Sequence, residues 1–326
     1  MSRLIVVTGA TGLVGSNSCR IALERGERVR AFVRSARDAA ALEDLGAELA
    51  EGDVVDEGSV RAALRGADLV VHAAAQIGGT WTEANAEDFV RVNQQGSINV
   101  LRLAEREGVA RTAVVLSAAV YCSGSTLTEV SPVRPILPDD SPYVRTKRAA
   151  YYEGMARAAR GQEVVFVVPG GIFGPSVFVE RALVPTIFNS NIVNAAKGSF
   201  TEYLPIPISW VLGSDVAQVG LAALDRGRSG HTYLAVGGPD AVRTLAGFCN
   251  AALAEAGIDR RVVDVDPRSP GTAERFGSMA KLLAERYADP LADCSATITA
   301  LGVAPTPFAD AIASTVRWLR HHGALA

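Results

Sequence analysis

Lysine is almost absent from this chain. Of its 32 Lys and Arg residues only Lys147, Lys197 and Lys281 are lysines, so positive charge is entrusted to arginine and each lysine asks for a reason. Cysteine is scarce too. Cys19, Cys122, Cys249 and Cys294 lie far apart with no Cys-x-x-Cys spacing, which argues against a disulfide framework or a zinc ribbon and leaves packing as their use. No apolar run reaches the roughly 20 residues of a membrane-spanning helix, and the opening MSRLIVVTGA turns to glycine before a signal-peptide core could form. The expectation is a cytoplasmic protein with no membrane partner. Positive charge is not massed anywhere: with a net charge of −3 and spread arginines, no nucleic-acid partner is expected. No cluster of histidine, cysteine or carboxylate presents itself as a nucleophilic or metal site, and no metal is expected.

What is present is a rhythm. The chain has 326 residues, 48% of them hydrophobic and 21% charged, enough for one large α/β unit or two unequal lobes. β-branched runs at residues 4–7, 29–33, 47–53, 68–74, 112–118, 163–169 and 231–236 alternate with helical stretches at 14–25, 59–64, 88–107, 142–160 and 214–224. Near-continuous apolar strands separated by helices predict an α/β fold with a doubly wound parallel sheet covered on both faces. After Pro169 the texture changes to glycine, proline and aromatics. The expected partition is therefore a dinucleotide-binding domain of residues 1–173 plus 211–237, and a smaller, discontinuous substrate lobe of 174–210 plus 238–326.

The stretch VVTGATGLVGS sets Gly9, Gly12 and Gly15 between the first strand and the first helix. Glycines there allow a tight turn and close approach of a pyrophosphate to a helix N-terminus. The spacing is Gly-x-x-Gly-x-x-Gly, so the strand before it and the helix after it carry much of the argument. Past the second strand stand Arg34 and Arg37, where an acidic residue would suit NAD; arginine can pair with a 2′-phosphate, which favours NADP(H) and keeps NAD(H) open. Two solvated surface arginines are the plainer reading. Asp53 could accept from an adenine amino group or simply start the next helix.

The rare lysine finds its reason in SPYVRTKRAA. Ser141 caps a helix, Pro142 suits its first position, and Tyr143 and Lys147 lie one turn apart on one face. An ammonium about 4 Å from a phenolate contributes about 4 kcal/mol at an effective dielectric near 20, or about three pKa units, which would bring Tyr143 toward neutral pH as an acid/base. Ser117 ends the fifth strand at the ligand-binding edge, where its hydroxyl could polarise a carbonyl or merely bond locally. Asn93, inside a predicted helix, could hold a water or a backbone carbonyl, or face solvent. His72, on a buried strand, reads as a satisfied core histidine.

Together TGATGLVG, GD at Asp53, HAAA, VN at Asn93, LSAAVY and YVRTK resemble the extended short-chain dehydrogenase/reductase family, in the NAD-dependent epimerase/dehydratase superfamily. The resemblance runs through VVPGGIFGP, WVLGSDVA and the closing helix, nearly the whole chain. It implies Tyr143 as acid/base, Lys147 as ligand of the nicotinamide ribose, and Ser117 orienting the carbonyl. It implies Gly9, Thr11, Gly12, Leu13 and Val14 at the pyrophosphate, Asp53 and Val54 at the adenine, Ala73, Ala74 and Ala75 as cofactor floor, and Pro169 with Ile172 beside the nicotinamide. A homodimer through the helices at 88–107 and 142–160 is implied by the same analogy. Departures narrow the reaction: Ala118 and Ala119 stand where dehydratases of this family carry an acidic pair, and TEYLPIPIS lacks the arginine that epimerases offer a UDP diphosphate. Lys197 is the one nearby cation. The character is closest to the dihydroflavonol reductase and 3β-hydroxysteroid dehydrogenase branches, and implies NADP(H)-dependent interconversion of a largely apolar carbonyl compound and its alcohol. The alternatives are an NAD-dependent nucleotide-sugar epimerase and a non-catalytic dinucleotide sensor or scaffold. Pocket shape is expected to depend on residues 77–81, 121–125 and 177–188 and on Tyr203.

Overall fold

The computed structural model describes residues 2–77, 82–121, 126–138, 140–277, 280 and 292–326; Cys122, Lys281 and the pocket stretches 78–81 and 122–125 lie outside them. Its centre is a seven-stranded parallel sheet of β1 (Leu4–Thr8), β2 (Arg28–Val33), β3 (Glu48–Glu51), β4 (Leu69–His72), β5 (Arg111–Val115), β6 (Val164–Pro169) and β10 (Thr232–Ala235), in the order β10-β6-β5-β4-β1-β2-β3. All seven expected strands form. The two-sided burial that their sequences predict is visible residue by residue. Ile5, Val7, Val165 and Val167 join one core, against the helices Leu13–Glu24 and Gly213–Arg226. Val6 turns to a second core on the opposite face, and Val164, Phe166 and Val168 to a third.

The chain leaves β1 in one direction toward β2 and β3 and in the other from β4 toward β10, so the winding reverses between β1 and β4. A crevice at the carboxyl ends of the strands is where such sheets bind ligands. The register sets Thr8 beside His72 and Phe32 at that edge.

Beyond β6 a second assembly begins. β7 (Gly171–Phe173), β9 (Pro207–Leu212) and β11 (Val242–Thr244) form a small sheet in the order β11-β9-β7, and β8 (Glu202–Tyr203) pairs with β12 (Val263–Asp264). Trp210 stacks on Phe248 at 4.0 Å with 14° between the rings, while Phe173 and Phe188 meet them edge-on. Much of the aromatic texture that follows Pro169 is thus consumed by this lobe's own core, where ring-on-ring contacts add to area burial.

One expected helix is not uniform. Residues 88–107 fold as Ala86–Phe89, a π-helical stretch Val90–Gln95, and an α-helix Gly96–Arg106. The wider turn brings Asn93 inward, where it is buried.

Candidate active site

The glycine turn is a cradle built from backbone. Gly9 has φ +66, and a Cβ on it would lie 2.7 Å from the Ala74 Cα; no other residue type fits without moving the β4 edge. A Cβ on Gly15 would lie 2.1 Å from the Gly9 carbonyl oxygen. Gly12 is the N-cap of the 12-residue helix Leu13–Glu24 and supplies no side-chain cap, so the first-turn N–H groups keep their capacity for an anion. Thr11 is half-buried beside it; Leu13 and Val14 anchor the helix in the core. The space that an added Cβ would fill and the uncapped N–H groups fit a dinucleotide pyrophosphate.

The floor opposite is tied to β1. Ala73 N donates to the Thr8 carbonyl and Ala74 N to the Thr8 hydroxyl, both at 3.2 Å, and Ala75 follows half-buried. Asn93 then clamps one peptide further on: its Oδ1 accepts from Gln76 N at 2.6 Å and its Nδ2 donates to Gln76 O at 3.0 Å. Of the readings open to Asn93, the structure gives the backbone clamp. Asn189 makes a matching clamp in the second lobe, on both polar groups of Gly174 at 2.9 Å. Sequence reasoning missed Asn189; its only signal was an amide at a helix start.

At the position expected to face the adenine, Asp53 Oδ1 accepts from Val55 N at 3.1 Å, closing its own turn. Val54 is buried against Gly96, and Asn99 holds the Val54 carbonyl at 3.0 Å. Arg34 and Arg37 are exposed just past β2; Arg37 makes a 3.6 Å contact with Asp38 and is 93% exposed. Pro169 ends β6 opposite Ala235, and Ile172 lies half-buried in β7 opposite Val211.

Three of the candidate residues, Ser117, Tyr143 and Lys147, converge at the β5 edge. Ser141 caps the helix Pro142–Ala158 through Val144 N at 3.4 Å, with Pro142 in its first turn. Tyr143 therefore sits in that first turn, half-buried. Burial raises its pKa, and the Ser117 hydroxyl opposes the rise through a hydrogen bond. Lys147 is buried, donates to the Val115 carbonyl at 2.9 Å, and has its own pKa lowered to about 8 by burial. This corrects the expected electrostatics: burial raises the phenol instead of leaving it lowered toward neutral pH, and the hydrogen bond that opposes the rise comes from Ser117. The ammonium is committed to the last carbonyl of β5, and loss of solvent acts on both groups.

Two further charges brace this edge and were not foreseen. Arg134 bonds the Ala119 carbonyl at 3.3 Å and pairs with the buried carboxylate of Asp140. Arg145 donates to the carbonyls of Leu137 and Pro138 at 2.8 Å. The loop before Tyr143 is thereby fastened to the segment after Ser117. Lys197 is exposed at the end of its helix, and among the described residues no group of His, Cys, Asp or Glu is arranged to hold a metal ion. No helix among them is long and apolar enough to cross a membrane.

Comparison with known proteins agrees with this fold. The chain is 34% identical over 237 residues to sterol demethylase protein B of Methylococcus capsulatus, covering 71% of this chain and 69% of that one. It is 27% identical over 347 residues to a putative dihydroflavonol 4-reductase of Synechocystis, covering 99% and 96%. Among solved structures, that of gox2253 superposes with a TM-score of 0.83 at 27% identity over the full length of both chains. The NAD dependent epimerase/dehydratase family matches residues 5–236. The chain belongs to that family, and is an NAD(P)-dependent enzyme of the extended short-chain dehydrogenase/reductase type.

Proposed function

We propose that this protein interconverts a largely apolar ketone or aldehyde and its alcohol, with NADP(H) as the hydride carrier and Tyr143 as acid/base. The observation that carries the reading is the convergence of Ser117, Tyr143 and Lys147 at one strand edge, beside a backbone cradle fit for a pyrophosphate. The nicotinamide supplies or accepts the hydride. In reduction, Ser117 hydrogen-bonds the carbonyl oxygen and Tyr143 gives its phenolic proton to that oxygen as the C–H bond forms; in oxidation it takes the proton back. The buried Lys147 ammonium binds the ribose and offsets the phenolate charge that forms. Gly9, Thr11, Gly12, Leu13, Val14 and Gly15 hold the pyrophosphate, Asp53 and Val54 the adenine, Ala73, Ala74 and Ala75 the floor, and Pro169 and Ile172 the nicotinamide.

Exposed Arg34 and Arg37, with no acidic residue at the end of β2, support NADP(H). Alanine at 118 and 119 and the missing arginine before β9 support a substrate without phosphates, and a relative named for sterols is in keeping with an apolar one. In this reading residues 1–173 plus 211–237 carry the cofactor and 174–210 plus 238–326 the substrate. Two copies pair through the helices that expose Val90 and Tyr152.

The test is a panel of ketones, aldehydes, secondary alcohols and UDP-sugars, followed at the nicotinamide absorbance band with NADPH/NADP and NADH/NAD. The reading expects turnover of apolar carbonyl compounds with preference for NADPH. Turnover confined to UDP-sugars with tightly held NAD would replace it with epimerisation, and cofactor binding without any turnover would replace it with a sensor.

A further inference from the structure

We propose that His72, held as the Nε2–H tautomer, is a positioning residue: it couples the end of β1 to the π-helical turn and so sets the cofactor floor against the first turn of the tyrosine helix. The inference rests on the proposed reaction for its kinetics, though not for its geometry.

The tautomer follows from counting protons. Ser97 Oγ has one proton and lies 2.6 Å from the Asn93 carbonyl, which can only accept. Toward His72 Nε2, 2.9 Å away, Ser97 is therefore the acceptor, and Nε2 carries the proton. Nδ1 is then the acceptor of the Thr8 hydroxyl at 2.8 Å, and Thr8 Oγ1 in turn accepts from Ala74 N. On the other side Asn93 Nδ2 donates to Thr146 Oγ1 at 3.3 Å, and Thr146 donates to the Pro142 carbonyl at 2.7 Å. Every bond points the same way, from the floor at Ala74 to the residue before Tyr143. Thr8, His72, Ser97, Asn93 and Thr146 are at most 4% exposed, so each broken link strands a polar group away from water. Burial, with the Lys147 ammonium as cationic neighbour, keeps the imidazole neutral by lowering its pKa to about 3. A leucine would fill the same space on this strand; only the hydrogen bonds require an imidazole.

The direct test is nitrogen-15 NMR of the holoenzyme labelled at histidine. The proposal expects the His72 proton on Nε2 and a bare Nδ1, and a proton on Nδ1 or on both nitrogens overturns it. The kinetic test compares His72→Leu with His72→Gln. Leucine should lower kcat about tenfold or more, as expected for a slight misplacement of reacting groups, with KM and cofactor affinity within about twofold; glutamine, which restores a donor toward Ser97, should recover much of the loss. Unchanged kcat, or parallel loss of kcat and cofactor affinity with no recovery by glutamine, overturns the role. Should His72→Leu fail to fold, Ser97→Ala leaves the imidazole in place and removes both the acceptor of its proton and the donor to the Asn93 carbonyl. Its kcat should fall several-fold at unchanged cofactor affinity, and an unchanged kcat overturns the role. The expected tautomer in a protein that turns over nothing would leave the geometry standing and remove the reaction.

Discussion

The two halves of the site are made of different material. Around Gly9, Gly12 and Gly15 the binding surface is backbone, and its side chains are conspicuous by being hydrogen atoms. At Ser117, Tyr143 and Lys147 it is side chain, mounted on a strand end and a capped helix. The first half can only be harmed by adding atoms, since a Cβ at position 15 would sit 2.1 Å from a carbonyl oxygen. The second can lose atoms and still fold. In the proposed function binding falls to one half and chemistry to the other, and substitutions on each side should separate the two measurements.

The largest separation is expected from Tyr143→Phe. Removing a positioned acid/base costs about 10²–10⁴-fold in turnover, while fluorescence titration of NADPH should give an affinity within about twofold of the parent. If both fall together, the tyrosine is part of the binding surface and the division is wrong. Gly15→Ala is the converse. The clash with Gly9 distorts the turn, so cofactor affinity should weaken about a hundredfold, with about 2 kcal/mol lost in thermal unfolding, the size typical of strain at a close approach. Normal affinity in that variant would mean that the pyrophosphate does not use this cradle.

How far each half was readable from sequence follows the same divide. The inner strands were legible because they are buried on both faces: in β1, Ile5 and Val7 go to one core and Val6 to another, so the run must be apolar throughout. The glycine turn was legible because few residues tolerate such contacts. The cap at Ser141 and the Tyr143–Lys147 spacing are local and could be read directly. What stayed hidden depends on partners distant in the chain. The π-helical turn at Val90–Gln95 comes with Asn93 gripping the peptide of Gln76, 17 residues away. Lys147 was placed correctly on its helix, but its bond to Val115 spans 32 residues and could not be read locally. The same distance hid the Arg134–Asp140 brace and the self-contained core around Trp210 and Phe248.

Lys147 sharpens the comparison, because here function opposes stability. Its pKa falls from 10.5 to about 8 on burial, a difference worth about 3 kcal/mol against the folded state. The sign follows from proton counting: below pH 8 the lysine is charged in both states and the cost is complete. Between about 8 and 10.5 the unfolded chain binds a proton that the folded one does not, so stability rises with pH. Lys147→Met should lose turnover yet gain about 2 kcal/mol in denaturant unfolding at pH 7, allowing about 1 kcal/mol for the Val115 carbonyl left without its donor. That gain should shrink as pH rises from 8 to 10. A variant less stable than the parent at pH 7 would show that the ammonium is well paired in the folded protein.

The smallest effect belongs to the rim, where neither half's rule applies. Arg34 and Arg37 are exposed, and Arg37 makes a 3.6 Å contact with Asp38. Water and salt screen such charges, so their pull on a 2′-phosphate is modest and depends on ionic strength. Replacing both with glutamine should raise KM for NADPH about tenfold in dilute buffer, as expected for lost charge-assisted hydrogen bonds to phosphate, and leave KM for NADH within about twofold. In about 1 M salt the difference should narrow, because the screening length falls to about 3 Å. An equal change for both cofactors would make the pair a general feature of the adenosine pocket. No change for either would return them to solvent, and NAD(H) would then become the better assignment, with discrimination resting on the shape of the turn between β2 and Glu51, whose carboxylate accepts from Ala36 N at 2.8 Å.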